Sequence, residues 1–211
     1  MLLVLKKIQY KVEDNFLKIF QSIAKEKGIN VTSLAEASRL AYGSEHGYVL
    51  KFQNGISDII PAIEEAFDFE LEYVDLSLVR STTERVRILL NSRIYGSGNR
   101  KRLYESLRQF YSSRAGYSVF IKSAWKTVDN IWYFAGDKSL DWNYYSKRAI
   151  LFAVYCSSIK YYACSNSDSS DELNKKINKN LARVGVFNKF KQKLSPSNIP
   201  FIRLLRNKEK I

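Results

Sequence analysis

The stretch IKSAWKTVDNIWYFAGDKSLDWNYYSKRAILFAVYCSSIKYY, residues 121–162, decides the fold class. Ile121, Trp125, Val128, Trp132 and Ala135 recur at steps of three and four, which places them on one face of an α-helix. Gly136 is positioned to end that helix. A loop over 137–140 leads to Asp141, read as the N-cap of the next helix. That helix runs to about Tyr162 and is apolar all round between Ala149 and Cys156, which suits the middle of a helical bundle.

The same periodicity extends outward in both directions. Phe16, Ile19, Phe20, Ile23 and Ala24 form an amphipathic stripe that Gly28 closes. Ser33 with Glu36, Ser81 with Glu84, and Ser169 with Glu172 read as capping boxes opening further helices. A short helix is expected to end near Phe52, one over 57–73 with Pro61 tolerable only near its first turn, and one over 100–112. Leu173, Ile177, Leu181 and Val184 stripe the last long helix. No stretch alternates like a strand. The expectation is an all-α protein of about nine helices, divided into a unit over 1–56, a helical domain over 57–194 and a basic amphipathic tail over 195–211.

Composition fits a packed helical core. The chain has 211 residues, 45% of them hydrophobic and 14% aromatic, with three prolines and nine glycines. Cys156 and Cys164 fall in one predicted helix, about 12 Å apart along its axis, too far for a disulfide, and a reducing compartment is expected. The N-terminus lacks the pattern of a signal peptide, and the longest apolar run is well short of a membrane span. The net charge of +13 is unevenly spread: residues 31–95 are acid-rich, whereas 96–211 hold 22 basic residues against eight acids. The densest block is 175–211, which begins with Lys175, Lys176, Lys179 and Arg183, and a basic segment of this kind seeks an anionic surface: nucleic acid, acidic lipid or acidic protein.

Catalytic equipment is sparse. His46 is the single histidine and lies in a glycine turn. There is no Glu-x-x-His pair, Cys-x-x-Cys pair, nucleophile elbow or P-loop, so no metal or cofactor is called for and no enzyme is expected. The first three helices suggest a helix-turn-helix unit. Residues 31–55 carry Arg39 and Lys51 against Glu36 and Glu45, however, and a duplex reader needs cationic residues there for phosphate. The unit reads as degenerate, without nucleic acid as partner.

Aromatic and acidic residues crowd together over 127–148, which points to a binding surface. Val128, Asp129, Trp132, Ala135, Gly136, Asp137, Ser139, Asp141, Asn143, Tyr145, Lys147 and Arg148 fall where the ninth coenzyme Q biosynthesis protein family has the same residue types. The segment resembles the C-terminal domain of that family. Similarity runs back through Glu84-Arg85-Val86-Arg87 and Phe52-x-Asn54-Gly55 to about Phe16, and fades after about Leu194. Trp142 stands where the family usually has Phe, and Tyr144 where it usually has Trp.

The resemblance implies a TetR-like fold, homodimers, and a non-catalytic accessory role in ubiquinone biosynthesis. It implies that an isoprenoid quinone intermediate, or phospholipid, is bound and presented to the demethoxyubiquinone hydroxylase. The location it implies is cytoplasmic, peripheral on the inner membrane of an alphaproteobacterium, or the mitochondrial matrix in a eukaryote. Expected lipid-lining residues are Ile121, Trp125, Val128, Trp132, Phe152, Tyr155 and Ile159. Expected partner contacts are Asp129, Ile131, Asp141, Trp142, Tyr144 and Tyr145, and expected docking to an anionic membrane falls to Phe201, Ile202, Arg203, Leu204, Leu205 and Arg206. The alternative reading is a TetR-like, lipid-responsive transcriptional regulator, with an enzyme using carboxylates alone as a third.

Overall fold

The computed structural model describes residues 2–96 and 100–193, with side chains over 15–96, 100–140 and 143–183. The chain forms α1 (Leu2–Lys27), α2 (Val31–Tyr42), α3 (Ile56–Phe69), α4 (Thr82–Tyr95), α5 (Lys101–Tyr111), α6 (Arg114–Phe134), α7 (Asp141–Cys164) and α8 (Ser170–Lys193). Two 3-10 turns, Gly47–Leu50 and Glu70–Tyr73, follow α2 and α3. Among the described residues there is no strand, so the all-α expectation holds with eight α-helices.

Several helix starts differ from the sequence reading, each for a local reason. Asn30, not Ser33, caps α2: its side chain accepts from the Ser33 N–H at 2.8 Å, while the Ser33 hydroxyl donates to the Gly28 carbonyl. The cap of α7 falls on Leu140 without a side-chain bond, and Asp141 is the first helical residue. Pro61 sits in the second turn of α3, where its ring removes one helical hydrogen bond. Ser81 and Ser169 do cap, accepting from Glu84 N–H and Asp171 N–H. The helix expected near Phe52 is a four-residue 3-10 turn over Gly47–Leu50, with Leu50 almost wholly exposed.

The apolar stripes converge as their spacing requires. α1 packs on α2 and α5; α6 packs on α3, α5 and α7; α8 lies across α4 and α7. Phe16, Phe20, Ile59, Ile63, Leu89, Leu90, Val128, Ile131, Leu151 and Ile177 are buried in one core cluster. Inside that apolar core lies a charged hub. Arg93 of α4 is fully buried. Its guanidinium donates to Asp68 at 2.5 Å, to the Glu64 carboxylate, to the Tyr104 hydroxyl at 2.9 Å and to the Thr127 hydroxyl at 3.3 Å.

The carboxylates are satisfied in turn. Asp68 also accepts from Thr127 at 2.8 Å and Asn130 at 3.1 Å, and Glu64 accepts from Tyr111 at 2.7 Å. The Tyr155 ring of α7 lies 5.9 Å from the guanidinium. Burial, and then the neighbouring Glu64 carboxylate, push the Tyr111 phenol well above its ordinary range, so it stays a donor. Burial opposes the charge on Arg93, but its surroundings, including Glu64 and Asp68, outweigh this and hold it protonated.

Two glycines permit close turns. A Cβ on Gly116, in the first turn of α6, would stand 2.0 Å from the Phe110 carbonyl oxygen, so only glycine lets α5 and α6 meet there. Gly136 adopts φ of 81° just past α6, while the Asp137 N–H returns to the Trp132 carbonyl.

Two stability outcomes follow from this packing. Arg93→Ala strands two buried carboxylates and is expected to cost ~3–5 kcal/mol in denaturant unfolding. A loss below ~1 kcal/mol would contradict the hub. Gly116→Ala is expected to cost about 1–3 kcal/mol, because the new methyl meets rigid backbone. Thermal denaturation showing an unchanged midpoint would refute that close approach.

Candidate functional site

The dense motif of 127–148 is a corner between α6 and α7, and most of its polar residues hold that corner together. Arg148, at the start of α7, donates to Asp129 at 2.5 Å and lies 3.3 Å from the Tyr144 ring centroid. Tyr144 in turn donates to Asp129 at 3.0 Å, and this bond, with a smaller effect of burial, raises its phenol pKa. Asp137 accepts from Ser139 and from Lys147, each at 2.7 Å. Lys147 stands 5.3 Å from the Trp132 ring, whose indole N–H donates to the Lys147 carbonyl. The contacts of Asp129 and Trp132 join α6 to the first turns of α7, and those of Asp137 tie the loop to α7.

Asp137 is the pivot. Its side chain is 4% exposed, and its Oδ2 has no hydrogen-bond partner, with Arg148 3.6 Å away. Burial raises its pKa, but the hydrogen bonds from Lys147 and Ser139 outweigh this and hold the carboxyl below the usual carboxylate range.

The corner also presents large apolar side chains outward, beside the exposed Lys138 and Asn143. Tyr133, Leu140 and Tyr145 are 75%, 78% and 62% exposed. Elsewhere on α6, Trp125 and then Tyr117 are also exposed, each step about 80° further round the helix from Tyr133, so they do not share one face. Trp125 packs against Phe152 of α7 with ring centroids 6.0 Å apart, forming a seam between the two helices beside the half-buried Ile121.

The expected lipid-lining residues therefore divide. Trp125 and Phe152 form the seam and Ile121, one helical turn before Trp125, is half-buried, whereas Val128, Tyr155 and Ile159 are core residues, with Tyr155 turned to the Arg93 hub. Trp132 is held under Lys147. A groove of about 310 Å³ between α3 and α6 is lined by Ser57, Pro61, Glu64, Glu65, Asp68, Val119, Lys122, Ser123 and Lys126, none of which was expected to line a lipid site. Its floor carries the hub carboxylates, so it does not suit a hydrocarbon chain.

The expected partner contacts divide as well. Tyr145 is exposed and Tyr144 and Asp129 are half-buried, but Ile131 is fully buried in the core and is not part of that surface. The side chains of Asp141 and Trp142 lie outside the described residues, as do all of Phe201, Ile202, Arg203, Leu204, Leu205 and Arg206. Sequence reading missed Tyr133 and Leu140. Tyr133 was legible: it directly follows the inward Trp132, and one residue further turns the helix by about 100°. Among the described residues no group of three or more His, Cys, Asp or Glu side chains is arranged to hold a metal. No helix of the described residues is long and apolar enough to cross a membrane.

Asp137→Asn is expected to destabilise the protein by about 1–3 kcal/mol at neutral pH, since a neutral amide replaces the carboxylate that faces Lys147 and Arg148. The folded pKa of Asp137 is depressed. Its contribution is therefore fully present above the unfolded carboxylate pKa and is lost as pH falls through the lower folded value. Unfolding curves of the two proteins should converge on acidification; a gap that stays constant with pH would rule out this role.

Residues 117–188 match the family model COQ9. The matched region begins in the first turn of α6, spans the corner and α7, and ends within α8. Over 30 residues the chain is 60% identical to a protein of Dictyostelium discoideum described as probable ubiquinone biosynthesis protein coq9, mitochondrial. That likeness covers 14% of this chain and 10% of the Dictyostelium protein.

Proposed function

We propose that this protein is a COQ9-like, non-catalytic accessory protein of ubiquinone biosynthesis, which binds an isoprenoid quinone intermediate and presents it to the demethoxyubiquinone hydroxylase. The observation that carries the reading is the coincidence of the COQ9 match with the α6–α7 hairpin and the exposed Tyr133, Leu140 and Tyr145 at its corner. A chain that only needed a helical corner would gain nothing from exposing Tyr133, Leu140 and Tyr145 beside it. Large exposed aromatics on a rigid support are the usual anchors of a protein interface.

In this reading the seam of Ile121, Trp125 and Phe152 receives the polyprenyl chain. Covering each methylene is worth about 0.8 kcal/mol relative to water, so the seam offsets part of the cost of exposing the tail when it leaves the bilayer. The corner of Asp129, Tyr144, Tyr145 and Leu140 is the face offered to the hydroxylase. The chain works as a homodimer of TetR-like subunits, peripheral on the inner membrane of an alphaproteobacterium or in the mitochondrial matrix. Phe201, Ile202, Leu204 and Leu205, with Arg203 and Arg206, insert at the lipid surface.

The regulator reading is disfavoured by a specific feature. Where a recognition helix would follow α2, the chain has only the Gly47–Leu50 turn, which carries no cationic side chain. A helix must lie in the major groove to read bases, and one 3-10 turn is too short.

Lipid extraction of the protein purified from cells, followed by mass spectrometry, is expected to recover a quinone or quinone precursor, and to recover far less from Trp125→Asp. Equal recovery from both proteins would remove the seam as the site. Tyr145→Asp is expected to weaken hydroxylase binding roughly tenfold or more at unchanged thermal stability. Tyr145 is a cleaner probe than Tyr144, whose hydroxyl also holds the corner. Unaltered affinity in a pull-down titration would count against the corner as the contact.

A further inference from the structure

The lysines of α8 form a built basic face on the folded body, separate from the C-terminal tail. Leu173, Ile177 and Asn180 face the bundle. Lys175, Lys179 and Arg183 step by four residues down the opposite, exposed side. Between this ridge and the end of α7 lies a concavity of about 440 Å³ lined by Tyr161, Glu172, Lys175, Lys176 and Lys179. The Lys176 ammonium lies 5.4 Å from the Tyr161 ring centroid, so an aromatic face backs the cationic wall. Among the described residues none of Lys175, Lys179 and Arg183 is paired with a carboxylate, although the chain forms ion pairs elsewhere.

We propose that the α7–α8 face, built from Lys175, Lys176, Lys179, Arg183 and Tyr161, is a docking surface for an anionic phospholipid bilayer. This inference rests on the membrane-peripheral reading above, and adds a second, structured contact to it. Three observations favour a bilayer over nucleic acid. The concavity pairs cations with a tyrosine, the residue type that sits at lipid headgroup level. The sequence that follows α8 at its Lys193 end mixes Phe201, Ile202, Leu204 and Leu205 with basic residues, so apolar side chains follow the lysine ridge along the chain. The N-terminal unit that would share a duplex carries no excess of positive charge over 31–55. Near an anionic membrane each lysine contributes roughly fivefold in affinity, and the effect weakens within a Debye length as salt is raised.

Flotation of the full chain with phosphatidylcholine vesicles, with and without phosphatidylglycerol, tests the proposal. Wild type is expected to float with the anionic vesicles and to be released by salt. Lys175→Gln/Lys176→Gln/Lys179→Gln is expected to lower the apparent affinity for the vesicles by about two orders of magnitude, roughly fivefold for each lysine, with unchanged circular dichroism. Lys122→Gln/Lys138→Gln, exposed lysines elsewhere, should leave it close to wild type. If the α8 variant floats like wild type while Leu204→Ser/Leu205→Ser does not float, the inference is overturned and the tail alone docks. If wild type ignores anionic vesicles, both the inference and the membrane-peripheral reading fall. Preferential binding of an oligonucleotide through the same lysines would also overturn it.

Discussion

The architecture turns on one buried cation. Arg93 sits at the meeting point of α3, α4, α5 and α6, and its guanidinium engages two carboxylates and two hydroxyls. Removing such a charge from water costs several kcal/mol, and the cost is recovered only when every partner is correctly placed. Apolar packing tolerates a helix that rotates or slides by a fraction of a turn, whereas a guanidinium shared among two carboxylates and two hydroxyls does not. The hub therefore fixes the rotation of each helix that supplies a ligand.

That constraint reaches the outer surface through helix geometry. Thr127 and Asn130 tie one side of α6 to Asp68. At about 100° per residue, Trp125 and Asp129 lie about 160° from Thr127 and Tyr133 about 120° from it. The side chains offered to solvent and to α7 are thus aimed by the polar contacts on the reverse of the same helix. The corner then carries the orientation into α7, because Arg148 and Lys147 are clamped to Asp129, Asp137 and Trp132. Much of the resemblance to a known family lies in these clamping residues. Their pattern preserves the shape of the corner, while Tyr133, Leu140 and Tyr145 supply the surface that the shape exposes.

The helices were legible because their stripes are long and uninterrupted: the step from Ile121 to Ala135 could belong to nothing else. The caps were less so. Ser33 and Asn30 are both good N-cap residues, and the choice between them is settled by the Gly28 carbonyl, which takes the Ser33 hydroxyl. The hub left a signal that periodicity alone could have found. On α4, Arg93 occupies a stripe position with Val86, Leu89, Leu90 and Ile94, and on α3 Glu64 and Asp68 stand four apart among Ile60, Ile63 and Phe67. A charge in a core stripe needs a partner, and a pair of acids in another supplies it. The division of the expected lipid lining was not legible, since Trp125 and Val128 differ by a rotation too small to separate seam from core without the neighbouring helix.

In the proposed reading α7 is the axis along which the separate surfaces are ordered. Tyr145 stands at the corner, Phe152 at the seam and Tyr161 at the basic concavity. With a rise of 1.5 Å per residue, Phe152 is about 10 Å from the first and about 13 Å from the last. Along α7 the proposed bilayer contact and the proposed partner contact are thus about 24 Å apart, with the apolar seam between them. A hydrocarbon chain drawn from the membrane end would meet Trp125 and Phe152 before its head reached the corner. Rigidity is what such an arrangement requires, and α7 has it, packed along its length by α5, α6 and α8 and anchored at its start by the clamp on Arg148.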